Sequence, residues 1–143
     1  MNLFGVLDIS SSALVAERER AEVVASNLAN ADSTGPANGR PYQRESVVFA
    51  AQPLPIGQGS GDSADLAARG VAVAGVVADT APPIRQFDPS NPAADAQGYV
   101  SYPDINPVQE MADLMGAVRA YQFNVSAVQA TKDMIQQTLQ ILS

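Results

Sequence analysis

The last third of the chain carries an almost unbroken heptad seam. Counting from Met111, the a positions are Met111, Val118, Val125, Lys132 and Leu139. The d positions are Leu114, Tyr121, Val128, Ile135 and Leu142. Nine of these ten residues are apolar or aromatic, and Lys132 alone breaks the series. Spacing that alternates three and four for so long predicts a helix packed lengthwise on another helix. A helix over residues 106–142 would run about 55 Å at the usual rise of an α-helix. A chain of 143 residues cannot wrap such a helix within its own globule. It needs further helices from other copies or other proteins, which points to assembly rather than catalysis.

Composition narrows the function classes. The net charge of -7 argues against broad nucleic-acid binding, which needs clustered Lys and Arg. With no cysteine there is neither a disulfide framework nor a thiolate metal site. With no histidine, the commonest general base and metal ligand are missing, and no cofactor is expected. The stretch MNLFGVLDIS has no Lys or Arg ahead of its short apolar run, so it does not read as a secretory signal. The longest apolar-rich run, residues 70–78, falls far short of the ~20 residues that span a bilayer. No direct membrane insertion is expected.

Three zones follow along the chain: 1–34 as an N-terminal axial helix, 35–104 as a β-rich middle, and 105–143 as a C-terminal axial helix. In the first, Phe4, Leu7, Leu14, Ala21, Ala25 and Leu28 keep a weaker heptad, with Ser11 and Arg18 at the intervening a positions. Asn30 and the Gly- and Pro-containing run after it should stop this helix with left-handed or extended backbone. Residues 35–103 hold eight of the ten glycines and nine of the ten prolines, which favours strands and turns over helix. Strands are expected at 42–50, 71–79, 84–87 and 99–102, with a flexible Gly/Ser loop at 57–65. Asn106 reads as an N-cap, Pro107 as the first helical residue, and Gln109 as a capping-box partner. Glu110 and Asp113 place negative charge near the positive end of that helix.

Sharper chemical readings fail one by one. Asp88, Asn91 and Asp95 do not match the spacing of a calcium loop, and a turn-rich linker explains them better. Asp62 and Asp65 lie in a Gly/Ser loop with no framework to shift their acidity. Asn124–Val125–Ser126 fits a glycosylation pattern but falls mid-helix beside the seam.

Several motifs in order resemble one family. ASNLANAD over residues 25–32 resembles the N-terminal motif of the flagellar axial proteins, which include rod, hook and hook-associated proteins. The run of 106–142 is similar to the matching C-terminal helix of that family, notably at Glu110–Met111, Arg119–Ala120–Tyr121–Gln122, Asn124, Lys132 and Thr138–Leu139. FDPSNPAADAQGYVSYPDIN over 87–106 and GRPYQRESVVF over 39–49 resemble its proximal-rod branch. The PANGRP stretch before Tyr42 favours that branch over the hook and distal-rod types.

The resemblance implies an α+β fold: long N- and C-terminal helices forming an antiparallel coiled coil, with a small β-rich module inserted between them. It implies a non-enzymatic subunit of the basal-body rod, exported through the flagellar type III apparatus without a cleaved signal and located in the periplasmic part. Implied partners are further copies, other rod proteins, the membrane-ring or export-gate adaptor below and the distal rod above. The expected assembly interface is Leu7, Leu14, Leu28, Met111, Leu114, Val118, Tyr121, Val125, Val128, Ile135, Leu139 and Leu142. Asn27, Asn30, Arg119, Asn124 and Lys132 are expected polar contacts between subunits. A soluble coiled-coil adaptor or export chaperone would share the helices but would not need the β-rich middle.

Overall fold

The computed structural model describes residues 3–35, 39–53 and 69–141, so Leu142 and the loop 57–65 lie outside the described residues. Two helices bracket four strands: α1 (Leu3–Ala29), β1 (Glu45–Pro53), β2 (Arg69–Ala78), β3 (Ile84–Phe87), β4 (Tyr99–Tyr102) and α2 (Pro107–Ile141). The layout is α+β, and its strands form two separate two-stranded sheets, β1 with β2 and β3 with β4. No helix among the described residues is long and apolar enough to cross a membrane.

The chain divides into two compact units that cut across the three zones of the sequence. One gathers the described parts of Met1–Glu19, Val48–Gly75 and Ala117–Ser143. The other gathers those of Arg20–Val47 and Val76–Gly116. Each unit therefore takes material from both helices and from the strands. In the first, the Ser12 hydroxyl donates to the Ile9 carbonyl at 2.7 Å and accepts the Val71 N–H at 3.1 Å, tying β2 to α1.

Local chemistry sets the element ends in the second unit. α1 stops at Ala29, where the Asn30 N–H reaches back to the carbonyls of Ser26 and Asn27 at 3.1 and 3.2 Å. The Asn30 side-chain amide also donates to the Ser26 carbonyl at 2.9 Å. The stop uses no left-handed residue: among the described residues only Gly98 has positive φ. Of the left-handed and extended stops expected, the left-handed one is not taken, and the Asn30 amide serves a terminal carbonyl instead. At the other end, Asn106 Oδ1 accepts the Val108 and Gln109 N–H groups at 3.0 and 3.4 Å, so Asn106 caps α2 as its residue type predicts.

β1 begins three residues later than the expected 42–50, because Tyr42 and Arg44 are committed to helix contacts described below. β2 ends at Ala78 rather than at Asp79. Asp79 instead turns the chain, its carboxylate accepting the Ala81 N–H at 3.0 Å, while its own N–H donates to the Arg44 carbonyl at 2.7 Å.

β3 and β4 pair antiparallel from Ile84↔Tyr102 to Phe87↔Tyr99. Alternation puts Val100, wholly buried, on the inner face and Arg85, Phe87 and Tyr99 on the outer one. There the Phe87 and Tyr99 rings meet edge to face at 5.3 Å, and the Arg85 guanidinium lies 4.9 Å from the Tyr99 ring centroid. The connecting residues are held by a series of side-chain turns: Asp88 to Ser90, Asn91 to Ala93, and Asp95 to Gln97 and Tyr99. Their oxygens are thus engaged by nearby backbone N–H groups, the Ser90 hydroxyl and Arg85, which is the turn-rich linker expected from the sequence.

The hairpin yields two expected outcomes. Gly98 sits at φ 82°, and a Cβ there would meet the Phe87 ring at 3.0 Å. Gly98→Ala should cost about 1–2 kcal/mol or more in urea unfolding. Gly75→Ala, whose Cβ would meet nothing within 4 Å, should leave the midpoint unchanged or raised. The second outcome concerns acid. The Tyr99 N–H foremost holds the Asp95 carboxyl below its ordinary value of 3.8, against an opposing desolvation effect, and the Gln97 N–H and Arg85 add lesser contributions in the same direction as Tyr99. Because the folded value is the lower one, this contribution is complete above the ordinary value and is lost as pH falls through the depressed one. The Tyr99 amide resonance followed through an acid titration should shift in that window, and Asp95→Asn should abolish the step.

Candidate assembly interface

The second unit is built around one buried amide. Asn27, on the last turn of α1, is wholly buried. Its Nδ2 donates to the Glu45 carbonyl at 2.8 Å and to Glu110 Oε2 at 3.0 Å. Its Oδ1 accepts the Glu45 N–H and the Tyr42 hydroxyl, both at 2.9 Å. Two donors and two acceptor lone pairs are all that an asparagine side chain offers, and all four are used. Glu110, also wholly buried, completes its needs with Arg44, whose Nε donates to Oε1 at 2.6 Å. Arg44 reaches on to Asp113 at 3.5 Å, and Arg20 meets the same Asp113 at 3.9 Å. The end of α1, the start of β1 and the first turns of α2 are thereby joined in one network. Within this unit Arg20 faces Asp113 and Asn27 faces Glu110.

Burial along the helices follows a register different from the expected seam. On α2 the buried positions are Glu110, Ala117 and Thr131, with Asn124 half-buried between them. These recur every seven residues at the position just before a. The d residues Leu114, Val128 and Ile135 are half-buried, as is Val125, while Tyr121 is exposed. Met111, Val118, Lys132 and Leu139, all at a, are exposed. α1 repeats the arrangement: Phe4, Ser11, Arg18 and Ala25 at a are exposed, and Leu7, Leu14, Ala21 and Leu28 at d are half-buried. On both helices small or polar side chains are buried, most d residues are half-buried, and the a positions other than Val125 are exposed.

The five polar candidates divide in the same way. The Asn27 amide is spent inside the chain, so nothing of it is left for a neighbouring subunit. Asn30 and Asn124 donate to carbonyls of their own helices, Ser26 and Ala120, each at 2.9 Å. Arg119 and Lys132 are exposed. The residues that reading by periodicity misses are Tyr42, Arg44 and Glu110. One signal could have found Glu110: it stands seven residues before Ala117 and fourteen before Asn124, on a small and polar stripe that a search for apolar residues passes over.

Comparison with known proteins bears on both halves of this network. A family model described as "Flagella basal body rod protein" matches residues 7–36, which include Asn27. One described as "Flagellar basal body rod FlgEFG protein C-terminal" matches residues 96–141, which include Glu110. Full-length relatives match as well. A flagellar basal-body rod protein FlgC from Salmonella typhimurium is 42% identical over 139 residues, covering 97% of each chain. That of Bacillus subtilis is 38% identical over 152 residues and that of Borreliella burgdorferi 34% over 150, each covering 99% of both chains. The chain belongs to the flagellar basal-body rod proteins. Within that class it is a member of the FlgC family, a structural subunit of the rod at the flagellar basal body.

The network predicts an ordering of stabilities. Asn27→Asp keeps the volume but removes both donors and sets a second carboxylate against Glu110. It should cost about 3 kcal/mol or more in denaturant unfolding. Glu110→Gln, which leaves Arg44 its contact with Asp113 and partial access to water, should cost about 1–3 kcal/mol. Ser46→Ala removes only the exposed 3.3 Å contact with Arg44 and should change the midpoint little.

Proposed function

We propose that the chain builds the proximal part of the rod, polymerising through its terminal helices into the shaft that transmits torque. The single observation that carries this reading is the exposure of the a positions other than Val125 on both helices. Met111, Val118 and Leu139 repeat at the heptad interval yet are uncovered in the single chain. A seam so regular and so apolar has a partner, and helices of neighbouring subunits supply one that shares its period. Covering each such residue contributes up to roughly 1.5–3 kcal/mol. In the assembled shaft α1 and α2 pair as an antiparallel coiled coil, with Leu7, Leu14, Leu28, Leu114, Tyr121, Val125, Val128, Ile135 and Leu142 completing the contact. Arg119 and Lys132 reach across to carboxylates of other subunits.

The finer placement rests on the family resemblance. The subunit passes through the flagellar type III apparatus without a cleaved signal and takes its place in the periplasm, between the adaptor at the membrane ring and the distal rod. A head-to-tail contact whose rotation does not close gives an open helical tube, the geometry that a shaft requires.

Val118 offers the cleanest test because it is 44% exposed in the chain itself. Val118→Asp should leave the unfolding midpoint within about 0.5 kcal/mol of the wild type, as surface substitutions do. In the assembly it buries a carboxylate without a partner, which costs several kcal/mol. Cells with this variant as their only copy should make the protein, fail to complete rods and not swim. Normal swimming would show that this face is not buried.

A further inference from the structure

The members of the node arrive from the two sides of one close backbone approach. Gly35 is buried. A Cβ on it would lie 2.8 Å from the Pro41 nitrogen, 3.0 Å from the Pro41 Cα and 3.1 Å from the Arg40 carbonyl carbon. Space rather than φ calls for glycine here, since among the described residues only Gly98 has positive φ. All three atoms are backbone, so no side-chain rotation can make room.

Neither side of the approach gives way cheaply. On one side Ser33 donates its N–H and its hydroxyl to the Asn30 carbonyl at 3.1 and 2.8 Å, and Ala31 is buried. On the other, Pro41 is buried and its ring fixes its φ. Tyr42 then bonds Asn27, and the Arg44 side chain bonds Glu110 while its carbonyl accepts the Asp79 N–H. Both backbone groups of Glu45 bond Asn27. A pinned segment thus runs from the contact at Pro41 into the node.

We infer that Gly35 is the positioning residue of the node: its bare backbone lets the chain return to α1 closely enough for Tyr42 and Arg44 to reach Asn27 and Glu110. A residue that makes none of the node's hydrogen bonds thereby sets their geometry. One added methyl at 35 displaces Pro41, and hydrogen bonds that are strict about distance and angle register the displacement at Asn27 and Glu110. By the same linkage, loosening the node shifts Gly35, because a coupling between two sites is equal in both directions. The device lies wholly within the second unit and needs no neighbouring subunit.

The test uses the full-length chain in urea unfolding and amide NMR. Gly35→Ala should raise the unfolding equilibrium constant roughly tenfold or more, as overpacking does. With Glu110→Gln already in place, the same methyl should raise it by less than about threefold, because the geometry that it spoils is already relaxed. Gly116→Ala, whose Cβ would meet nothing within 4 Å, should raise it in neither background. Additive costs at 35 and 110 would overturn the inference, since the strain would then stay at the contact itself. Should Gly35→Ala fail to fold, Glu110→Gln decides alone: the Gly35 amide resonance should move while that of Gly98 stays in place. A Gly35 resonance that also stays in place overturns it.

Discussion

Everything in the second unit depends on a carboxylate that cannot stand alone. Glu110 is fully buried near the start of α2, and an unpaired charge in such a place costs several kcal/mol. Its two partners arrive from distant parts of the chain: Asn27 lies 83 residues away and Arg44 lies 66. Neither helix can bury its own portion until the other is in position, so the carboxylate couples the end of α1 to the beginning of α2 and both to the strand between them. Asparagine suits position 27 because the site requires donors toward a carboxylate and a carbonyl, and acceptors toward a hydroxyl and an amide. Aspartate has no donors when ionised, and leucine would strand the Glu45 N–H.

A polar node of this sort also fixes register. Apolar side chains tolerate sliding by a turn, whereas an amide with four fixed partners does not. Within the second unit Asn27 meets Glu110 and Arg20 meets Asp113, so these bonds fix how the end of α1 and the start of α2 are placed there.

How far the sequence could be read follows from the kind of signal each element carries. Both helices, the cap at Asn106 and the hairpin strands at 84–87 and 99–102 were legible because local patterning alone determines them. The start of β1 was not, since Tyr42 has strand propensity but spends its hydroxyl on Asn27, a contact that no local window contains. The interface was legible as a stripe and not as a surface. Apolar repetition at a and d predicts burial without saying by what. Within one chain the a positions other than Val125 stay open, and small or polar residues such as Ala117 and Thr131 are buried instead. Glu110 escaped for the same reason: a charge at a helix start is ordinarily a dipole partner at the surface, and only the presence of Arg44 and Asn27 makes an interior position affordable.

The division of each helix into an inward and an outward register has a physical consequence. Small and polar side chains at the inward positions let the chain close on itself through specific hydrogen bonds, while contributing little apolar area. Val24, Ala31, Val100, Ile105 and Ala117 are among the few apolar residues buried among the described residues, and of these five only Val100 and Ala117 have no exposure. Large side chains such as Val108, Met111, Met115 and Phe123 stay in water. Hydrogen bonds contribute modestly in net terms but are strict about geometry, whereas apolar contact contributes in proportion to area and is loose about geometry. The second unit thus relies on the exacting interaction, and on the function proposed above the larger non-directional one falls to neighbours. A chain built this way is shaped before it is strongly held, and covering the outer stripe adds stability in proportion to the number of neighbours that cover it. That is the behaviour a polymerising subunit needs, because addition to a growing end is then favoured over a free chain without any rearrangement of the node at Asn27 and Glu110.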